Sequence, residues 1–598
     1  MSTLQSADAG ASTNGSSTGD SSKPGASADD SASFAPYGPA TTLGDILQWR
    51  AKHQGDTHAF TFLAESGEER LHVTYGELDA RVRAIAARLQ DEQLAGARVL
   101  LLYPSGFDYV AAFLGCLYAG VVAVPAYPPD PARLEKSLPR LRAILDDAGA
   151  AAALTTTRFA PTLGLLGAHT PATRARLRGA APAPIHAITT DELEPRGPKR
   201  AFQRPANDAL AFIQYTSGST RTPKGVMVSH GNLLHNATLI QQAFGLSSDM
   251  KAVIWLPLYH DMGLIGGIVQ PLVHGIHGTI MSPLTFLRWP RRWLNEISRI
   301  EGHRVASGGP SFAYELCVRR VSDDDVGTLD LSNWSIAFCG AEPVNPSTLE
   351  RFSARFRGCG FRRSAFYPCY GLAEATLFVT GGAVDAEPVT RTVGRGALES
   401  DRVAAPESDS DGVTFVGCGG AHPEEQIRIV SPRTLTVCDD ERIGEIWVSS
   451  RSVARGYWNR PAETRESFRA FTADTAEGPF LRTGDLGFMR DGELFVTGRL
   501  KDLIIIRGAN YYPQDIESTV QNSHDSLRRG YGAAFSVEVD GEEKLVVIHE
   551  AQARSSDLDA ALAAIREAIA STYDLQVHAI GLIRPRTLPK TSSGKLQR

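Results

Sequence analysis

The residues with most chemistry to offer lie in one string, Tyr215-Thr-Ser-Gly-Ser-Thr-Arg-Thr-Pro-Lys-Gly-Val-Met-Val-Ser-His230. An apolar run, Leu210–Gln214, feeds a loop of small hydroxyl residues and glycine. Such a loop turns several backbone N–H groups and hydroxyls toward one anion, a nest suited to phosphate. Lys224 adds a mobile positive charge. The spacing differs from the P-loop, because GxxxxGK[ST] is absent. Other polar residues say less when taken singly. Asp485 in Thr-Gly-Asp-Leu reads as a turn residue, Glu374 as a first-turn helix glutamate, and His260 as a satisfied loop histidine. His274 and His277 stand at i and i+3 with no third ligand nearby, and zinc needs three or four.

A doubly wound α/β layer must position that loop. Thr74-Tyr-Gly-Glu77 is a capping box. It opens a helix whose Leu78, Val82, Ile85 and Leu89 form one apolar stripe. Val99–Tyr103 reads as a buried strand. The apolar run Tyr109–Ala126 is long enough to raise a membrane span. Gly115, Gly120 and Pro125 punctuate it, so it reads as a buried helix to Ala119 and a buried strand from Val121. Further strands are expected at Ala151–Thr155, Ala209–Tyr215, Ala252–Leu256 and Ser335–Cys339. From Ala383 to Thr414 the chain turns polar, acidic and Pro-containing. A β-rich unit follows, with strands Gln426–Val430 and Gly444–Val448 and a hairpin at Asp491-Gly492. The last unit, from Lys501, carries Leu503–Ile506, a hairpin through Asp540-Gly541 and a helix capped by Ser556 with Leu558, Leu562, Ile565 and Ile569 along one side. Residues 1–38 have almost no large apolar side chain and are expected to be a disordered tail.

The chain has 598 residues, 42% apolar and 21% charged, which suits a multidomain globular protein. A net charge of −6 argues against a nucleic-acid binder, which would carry a basic stripe. The 7 cysteines are odd in number and never spaced as CxxC, which disfavours a disulfide framework and a structural zinc and suits a reducing cytoplasm. The first basic residue is Lys23, so no signal-peptide n-region is visible.

The Tyr215–His230 string resembles the phosphate loop of the adenylate-forming superfamily: acyl-CoA synthetases, peptide-synthetase adenylation domains and luciferases. The resemblance extends over most of residues 42–598. Trp255-Leu-Pro-Leu-Tyr-His-Asp-Met-Gly263 is similar to the aromatic-gate motif. Gly340-Ala-Glu-Pro343 and Tyr370-Gly-Leu-Ala-Glu374 are similar to the adenine and magnesium motifs, and Arg482-Thr-Gly-Asp485 to the ribose motif. Gly498–Gly508 resembles the interdomain hinge, and Pro589-Lys-Thr-Ser-Ser-Gly-Lys595 the catalytic-lysine motif. The resemblance implies ATP and Mg²⁺ as cofactors. Thr216, Ser217, Gly218, Ser219, Thr220 and Lys224 would hold the β/γ-phosphates. Gly340, Ala341, Glu342, Tyr370 and Gly371 would line the adenine. Glu374 would bind Mg²⁺, Asp485 and Arg499 would grip the ribose, and Lys595 would bridge the substrate carboxylate and the α-phosphate. His260, Asp261, Met262 and Gly263 would border the fatty-acid pocket, and Lys501 would be the hinge. The implied α/β fold has an N-terminal core, 39–500, of two doubly wound subdomains and a small β-barrel. A small mobile α+β domain, 501–598, follows. Two positions depart from the pattern. Arg221 stands where the loop usually has glycine. Pro368 stands where relatives often carry Asn or Gln, which leaves the adenine amino group to a backbone carbonyl.

The wording of Trp255–Ile265, Tyr370–Leu377, Ser452-Val-Ala-Arg-Gly-Tyr-Trp458 and Lys501–Ile516 resembles the fatty acyl-AMP ligases. The stretch 383–414 falls where that branch carries an insertion. This implies a fatty acid activated to acyl-AMP and passed to the phosphopantetheine thiol of an acyl carrier protein, on the same natural polypeptide or a separate one. A monomer without a membrane span is expected. The alternatives are a long-chain acyl-CoA synthetase and a non-catalytic carrier-docking module. The chain stops three residues after Lys595, as a domain cut from a longer assembly-line protein would.

Overall fold

Thr74 caps its helix as the capping box predicts. Its hydroxyl accepts from the Glu77 N–H at 3.2 Å, and the Glu77 carboxylate accepts from the Thr74 N–H at 2.8 Å. The helix runs Tyr75–Asp91 with Leu78, Val82, Ile85 and Leu89 buried. The long apolar run divides into a helix, Phe107–Ala119, ended by left-handed Gly120 (φ 67°), and a strand, Val122–Pro125. Among the described residues no helix is long and apolar enough to cross a membrane.

The computed structural model describes residues 42–590 and 596, apart from 66–68, 129–133, 168–184, 195–204, 217–222, 409–410, 540–541 and 553–554; for 134–137, 164–167, 555 and 556 the backbone alone is described. The expected tail 1–38, Ser217, Gly218, Ser219, Thr220, Arg221, Asp540-Gly541 and Lys595 lie outside the described residues.

Two sheets carry most of the chain. In the 8-stranded sheet the order is Phe378–Gly381, Phe366–Gly371, Trp334–Cys339, Val305–Gly308, Lys251–Ile254, His277–Ile280, His58–Leu63 and Arg70–Thr74. Its central strands are parallel and only the outermost pairs antiparallel. In the 6-stranded sheet the order is Ala187–Thr189, Ala152–Thr155, Arg98–Leu101, Val122–Pro125, Leu210–Thr216 and Lys224–Ser229. It is parallel except for its last pair. The predicted doubly wound strands are all present, and both sheets place their chain-forward ends as loop platforms.

The β-rich unit is a 4-stranded antiparallel sheet in the order Gln426–Val430, Gly444–Ser449, Leu481–Arg490 and Glu493–Arg499. Its hairpin turn has both Asp491 and Gly492 left-handed, at φ 53° and 79°. The described pairings do not explicitly show the small β-barrel expected. Gly417 bridges Phe495 and the Cys418 N–H donates to the Leu494 carbonyl at 2.8 Å, so the segment after Gly412–Val416 lies along the Glu493–Arg499 edge.

The polar stretch 383–414 also departs from its loop-like composition. Thr390–Gly394 pairs antiparallel with Gly412–Val416 as a ribbon, with a helical turn, Arg395–Leu398, between them. Its few apolar residues decide this. Val393 and Leu398 are buried beside Ile443, Leu486, Phe488 and Phe495 of the β-rich unit and Tyr512 of the last unit, with Val403 and Val413 packed alongside. The last unit has its own core. Helices Pro513–Ser523 and Ser555–Tyr573 cover the sheet of Leu527–Val539, Glu542–Ala551 and Val577–Ile583. Ser556 lies inside its helix and not at the cap, and Ala561, not Leu562, joins Leu558, Ile565 and Ile569 in the core.

Truncating Leu398 removes a buried anchor. Leu398→Ala should lower stability by about 2–5 kcal/mol, read as a lower denaturant midpoint, whereas Glu407→Ala on the exposed part of the same stretch should leave it within about 0.5 kcal/mol.

Candidate active site

The carboxyl ends of the central strands deliver most of the candidate residues. Trp334–Cys339 leads into Gly340, Ala341 and Glu342, and Phe366–Gly371 ends with Tyr370 and Gly371. Lys251–Ile254 leads into Trp255 through Gly263. Ligands of open α/β sheets bind at such ends. Ala341 has φ 69°, unusual for a residue with a Cβ and a mark of functional sites. Glu342 accepts from the Phe312 N–H at 3.1 Å. The His260 ring lies 4.9 Å from that of Tyr259, and Asp261 accepts from the Met262 N–H at 2.8 Å where a π-helix, Met262–Val269, begins. Gly263 approaches Pro257 so closely that a Cβ would lie 2.0 Å from its carbonyl oxygen, which admits only glycine.

The other sheet supplies the phosphate-type loop. Thr216 stands opposite Lys224 across the antiparallel pair of a hairpin. Arg140 donates to the Thr216 carbonyl at 3.3 Å. Gln214 Nε2 donates to the Tyr259 carbonyl at 2.9 Å, which ties this hairpin to the gate segment of the larger sheet.

Asp485 joins three elements. One carboxylate oxygen accepts from the Tyr370 hydroxyl at 2.9 Å, and the other meets Arg499 Nε at 3.1 Å. Tyr370 belongs to the 8-stranded sheet, while Asp485 and Arg499 face each other across the hairpin of the β-rich unit. Burial, with the Asp485 charge, pushes the Tyr370 hydroxyl well above its usual value, so it stays a donor. The Asp485 charge raises the Arg499 guanidinium further.

Glu374 and Lys224 meet around Tyr457. The Tyr457 hydroxyl donates to Glu374 Oε1 at 2.9 Å, and Lys224 Nζ sits 5.0 Å from the centre of the same ring. Burial holds the Glu374 carboxyl above the usual range. Lys224 also pairs with Glu463 at 2.5 Å, and this contact lowers the Glu463 carboxyl. The expected mobile charge is therefore tied down here. Tyr457 is placed by its backbone: the Trp458 N–H donates to the Gly225 carbonyl and the Arg455 N–H to the Met227 carbonyl, along the edge of Lys224–Ser229. Asn232 holds the Arg451 and Val453 carbonyls from the following helix, and His235 Nδ1 lies 2.8 Å from the Ser452 hydroxyl.

Of the expected residues, Tyr370, Asp485 and Arg499 thus meet in one contact group, and Glu374 and Lys224 meet in a second at Tyr457; the Arg499 charge acts on Glu374 between them. Lys501 follows Arg499 by two residues; partial burial, with the like charge of Arg499, lowers its ammonium. His274 and His277 turn to separate partners, the Ala237 carbonyl and the Thr61 hydroxyl. Tyr457 and Glu463 escape a motif reading, although Tyr457 stands in a string quoted for its wording. Only the added edge segment brings them to Glu374 and Lys224.

Residues 47–458 match the AMP-binding enzyme family, and residues 501–598 match the Disco-interacting protein 2-like AMP domain. The chain belongs to the AMP-binding enzymes, in their fatty acyl-AMP ligase branch. It is 47% identical to the medium-chain-fatty-acid–[acyl-carrier-protein] ligase JamA of Moorena producens, over 93% of this chain and 94% of the relative. It is 38% identical to the long-chain-fatty-acid–AMP ligase FadD26 of Mycobacterium bovis, over 93% and 96%. A solved fatty acyl-adenylate ligase of L. pneumophila, in complex with acyl adenylate and pyrophosphate, superposes with a TM-score of 0.72 at 40% identity, over 93% of this chain and 95% of that one. Adenylate-forming members of this family use ATP.

The ion pair at Lys224 competes with any phosphate it would hold. Both side chains are about one-third exposed, so the pair is worth about 1 kcal/mol or less. Glu463→Gln should therefore lower the KM for ATP by up to about fivefold, measured by pyrophosphate release against ATP concentration. A raised KM would instead make Glu463 part of the nucleotide site.

Proposed function

We propose that the chain joins a fatty acid to ATP, giving fatty acyl-AMP and pyrophosphate, and then passes the acyl group to the phosphopantetheine thiol of an acyl carrier protein. The observation that supports this most is a pair of contact groups, Tyr370–Asp485–Arg499 and Glu374–Tyr457–Lys224, coupled by the Arg499 charge acting on Glu374. It occurs in a chain similar along nearly its whole length to a fatty-acid–carrier-protein ligase.

Asp485 would accept both ribose hydroxyls, since an ionised carboxylate has room for more than the two donors already on it. Tyr370, braced through its hydroxyl, would offer its ring to adenine. Lys224, once released from Glu463, would meet the β/γ-phosphates with Thr216 and the loop that follows it. A carboxylate oxygen of the fatty acid attacks the α-phosphorus, and the bond to pyrophosphate breaks. Two anions must approach, so positioning and charge neutralisation carry most of the rate. Lys595 would bridge the carboxylate and the α-phosphate. The carrier thiol then attacks the acyl carbonyl, AMP leaves, and the unit from Lys501 onward would swing to admit the thiol.

Glu374 fits Mg²⁺ by its chemistry. It is a hard oxygen donor whose burial makes its own charge unfavourable without a cation. Among the described residues no group of three ligating side chains surrounds it, so substrate phosphates and water would complete the coordination. The bound metal would draw charge from the phosphates.

The 383–414 ribbon supports a carrier over free CoA as acceptor. Arg395 donates to the Tyr573 hydroxyl at 3.0 Å and lies 4.8 Å from its ring. Asp401 accepts from Asn510 Nδ2 at 2.8 Å, and the Asn510 N–H donates to the Glu399 carbonyl at 3.0 Å. A swing of the last unit would have to break these bonds, which disfavours the swung arrangement unless a partner compensates.

Mass spectrometry of products from a fatty-acid panel with ATP tests the reading: acyl-AMP should form, and acyl-carrier should follow on adding a phosphopantetheinylated carrier. Free acyl-CoA as the main product would replace it with a CoA synthetase. Lys595→Ala should slow acyl-AMP formation by about 10²–10³ while ATP still binds. An Arg395→Ala/Asn510→Ala double variant should keep adenylation and gain acyl-CoA formation at saturating CoA. No gain would leave CoA exclusion to the thiol channel.

A further inference from the structure

We infer that Glu445 aims Asp485 at the ribose and thereby sets the enzyme's preference for ribonucleotides. This rests on the reading of Asp485 as the acceptor of the ribose diol. Glu445 lies on the central strand Gly444–Ser449, 2% exposed, and belongs to none of the motifs that carry the nucleotide roles. A buried carboxylate needs several donors to remain charged, and Glu445 has them. Its Oε1 accepts from the Gly484 N–H at 3.1 Å. Its Oε2 accepts from Arg482 Nε at 3.0 Å, and Arg482 Nη2 lies 2.9 Å away. The same oxygen accepts from the Trp447 indole N–H at 3.0 Å.

These bonds hold Arg482-Thr-Gly-Asp485, a bulged turn of backbone within the strand Leu481–Arg490, from below. Gly484 takes φ 71°, a left-handed conformation that its bond to Glu445 secures. Thr483 fixes the other side. Its hydroxyl donates to the Ile446 carbonyl at 2.7 Å and accepts from the Asp485 N–H at 3.1 Å. Asp485 can therefore present its carboxylate between Tyr370 and Arg499 only while the turn stays seated on Glu445 and Ile446. Glu445 itself touches no nucleotide position; it is a positioning residue.

The acceptor-only character of the carboxylate is what the place requires. A glutamine there has the same shape, but its NH₂ group must face either the Gly484 N–H or the Arg482 and Trp447 donors. One side of the turn then loses its acceptor and meets a donor, and Asp485 shifts away from the diol.

The test compares ATP with 2′-deoxy- and 3′-deoxy-ATP on the full chain, by calorimetric Kd and adenylation kinetics, with thermal melting alongside. The unaltered protein should bind ATP about tenfold or more tightly than either analogue, the size expected for one hydrogen bond to a charged group. Glu445→Gln should weaken ATP by about a hundredfold and each analogue, which keeps one hydroxyl, by about tenfold, collapsing the preference while the KM for the fatty acid stays unchanged. Equal weakening of all three nucleotides, with the preference kept, would make Glu445 a stability residue and overturn the inference. No preference in the unaltered protein would overturn the ribose role of Asp485, and the inference with it. If Glu445→Gln does not fold, Thr483→Val decides, since it frees the opposite side of the same turn. It should show the same collapse, and a retained preference would overturn the inference.

Discussion

The Asp485 carboxylate is the point through which the rest of the site is assembled. It takes the Tyr370 hydroxyl from the 8-stranded sheet on one oxygen and Arg499 from its own hairpin on the other. Hydrogen bonds to a charged group are roughly twice as strong as neutral ones and hold direction as well as distance. The 8-stranded sheet and the β-rich unit are thereby joined at this carboxylate. Behind it stands a second buried carboxylate, Glu445, with donors on both oxygens. This side of the candidate site is a short chain of charge-assisted bonds running from Glu445 through Asp485 to Tyr370 and Arg499.

The side of the candidate site around Lys224 is built differently. Lys224 lies on the edge strand of the 6-stranded sheet, and the segment ending in Trp458 closes that edge by backbone bonds to Gly225 and Met227. Covering the edge protects it from association with another chain and also delivers Tyr457 beneath Lys224 and against Glu374. Glu463 occupies Lys224 in a pair weak enough for a polyphosphate to displace. Lys224 is thus paired at the surface, while burial disfavours the charge of Glu374 beside the same tyrosine.

The third constraint is the contact between the 383–414 ribbon and the last unit. Val393 and Leu398 share one apolar cluster with Phe488, Phe495 and Tyr512, and Arg395 and Asp401 bond to Tyr573 and Asn510. Apolar packing and polar bonds thus cross the same boundary, next to Leu500 and Leu503 on either side of Lys501. Any reorientation about that point must exchange these contacts for others of similar strength.

Local patterning was enough for the elements whose signals are local. The capping box at Thr74 with its stripe of Leu78, Val82, Ile85 and Leu89, the break at Gly120 and the Asp491-Gly492 turn each depend on residues a few positions apart, and each formed where the pattern put it. The motif strings likewise marked Tyr370, Glu374, Asp485, Arg499 and Lys224, because their spacing within each string is itself short-range. Composition alone did not show that 383–414 forms a ribbon, because its pairing and its anchoring by Val393 and Leu398 depend on partners far along the chain. Ser556 and Leu562 show the same limit on a smaller scale, since one residue of helix phase depends on what the helix packs against. Tertiary structure alone decided that Lys224 is held by Glu463, that Tyr457 links it to Glu374 and that Glu445 seats the Asp485 turn. These partners come from distant parts of the chain or from neighbouring strands whose register is set by pairing, and their charges matter only at the distances and burial the folded chain imposes.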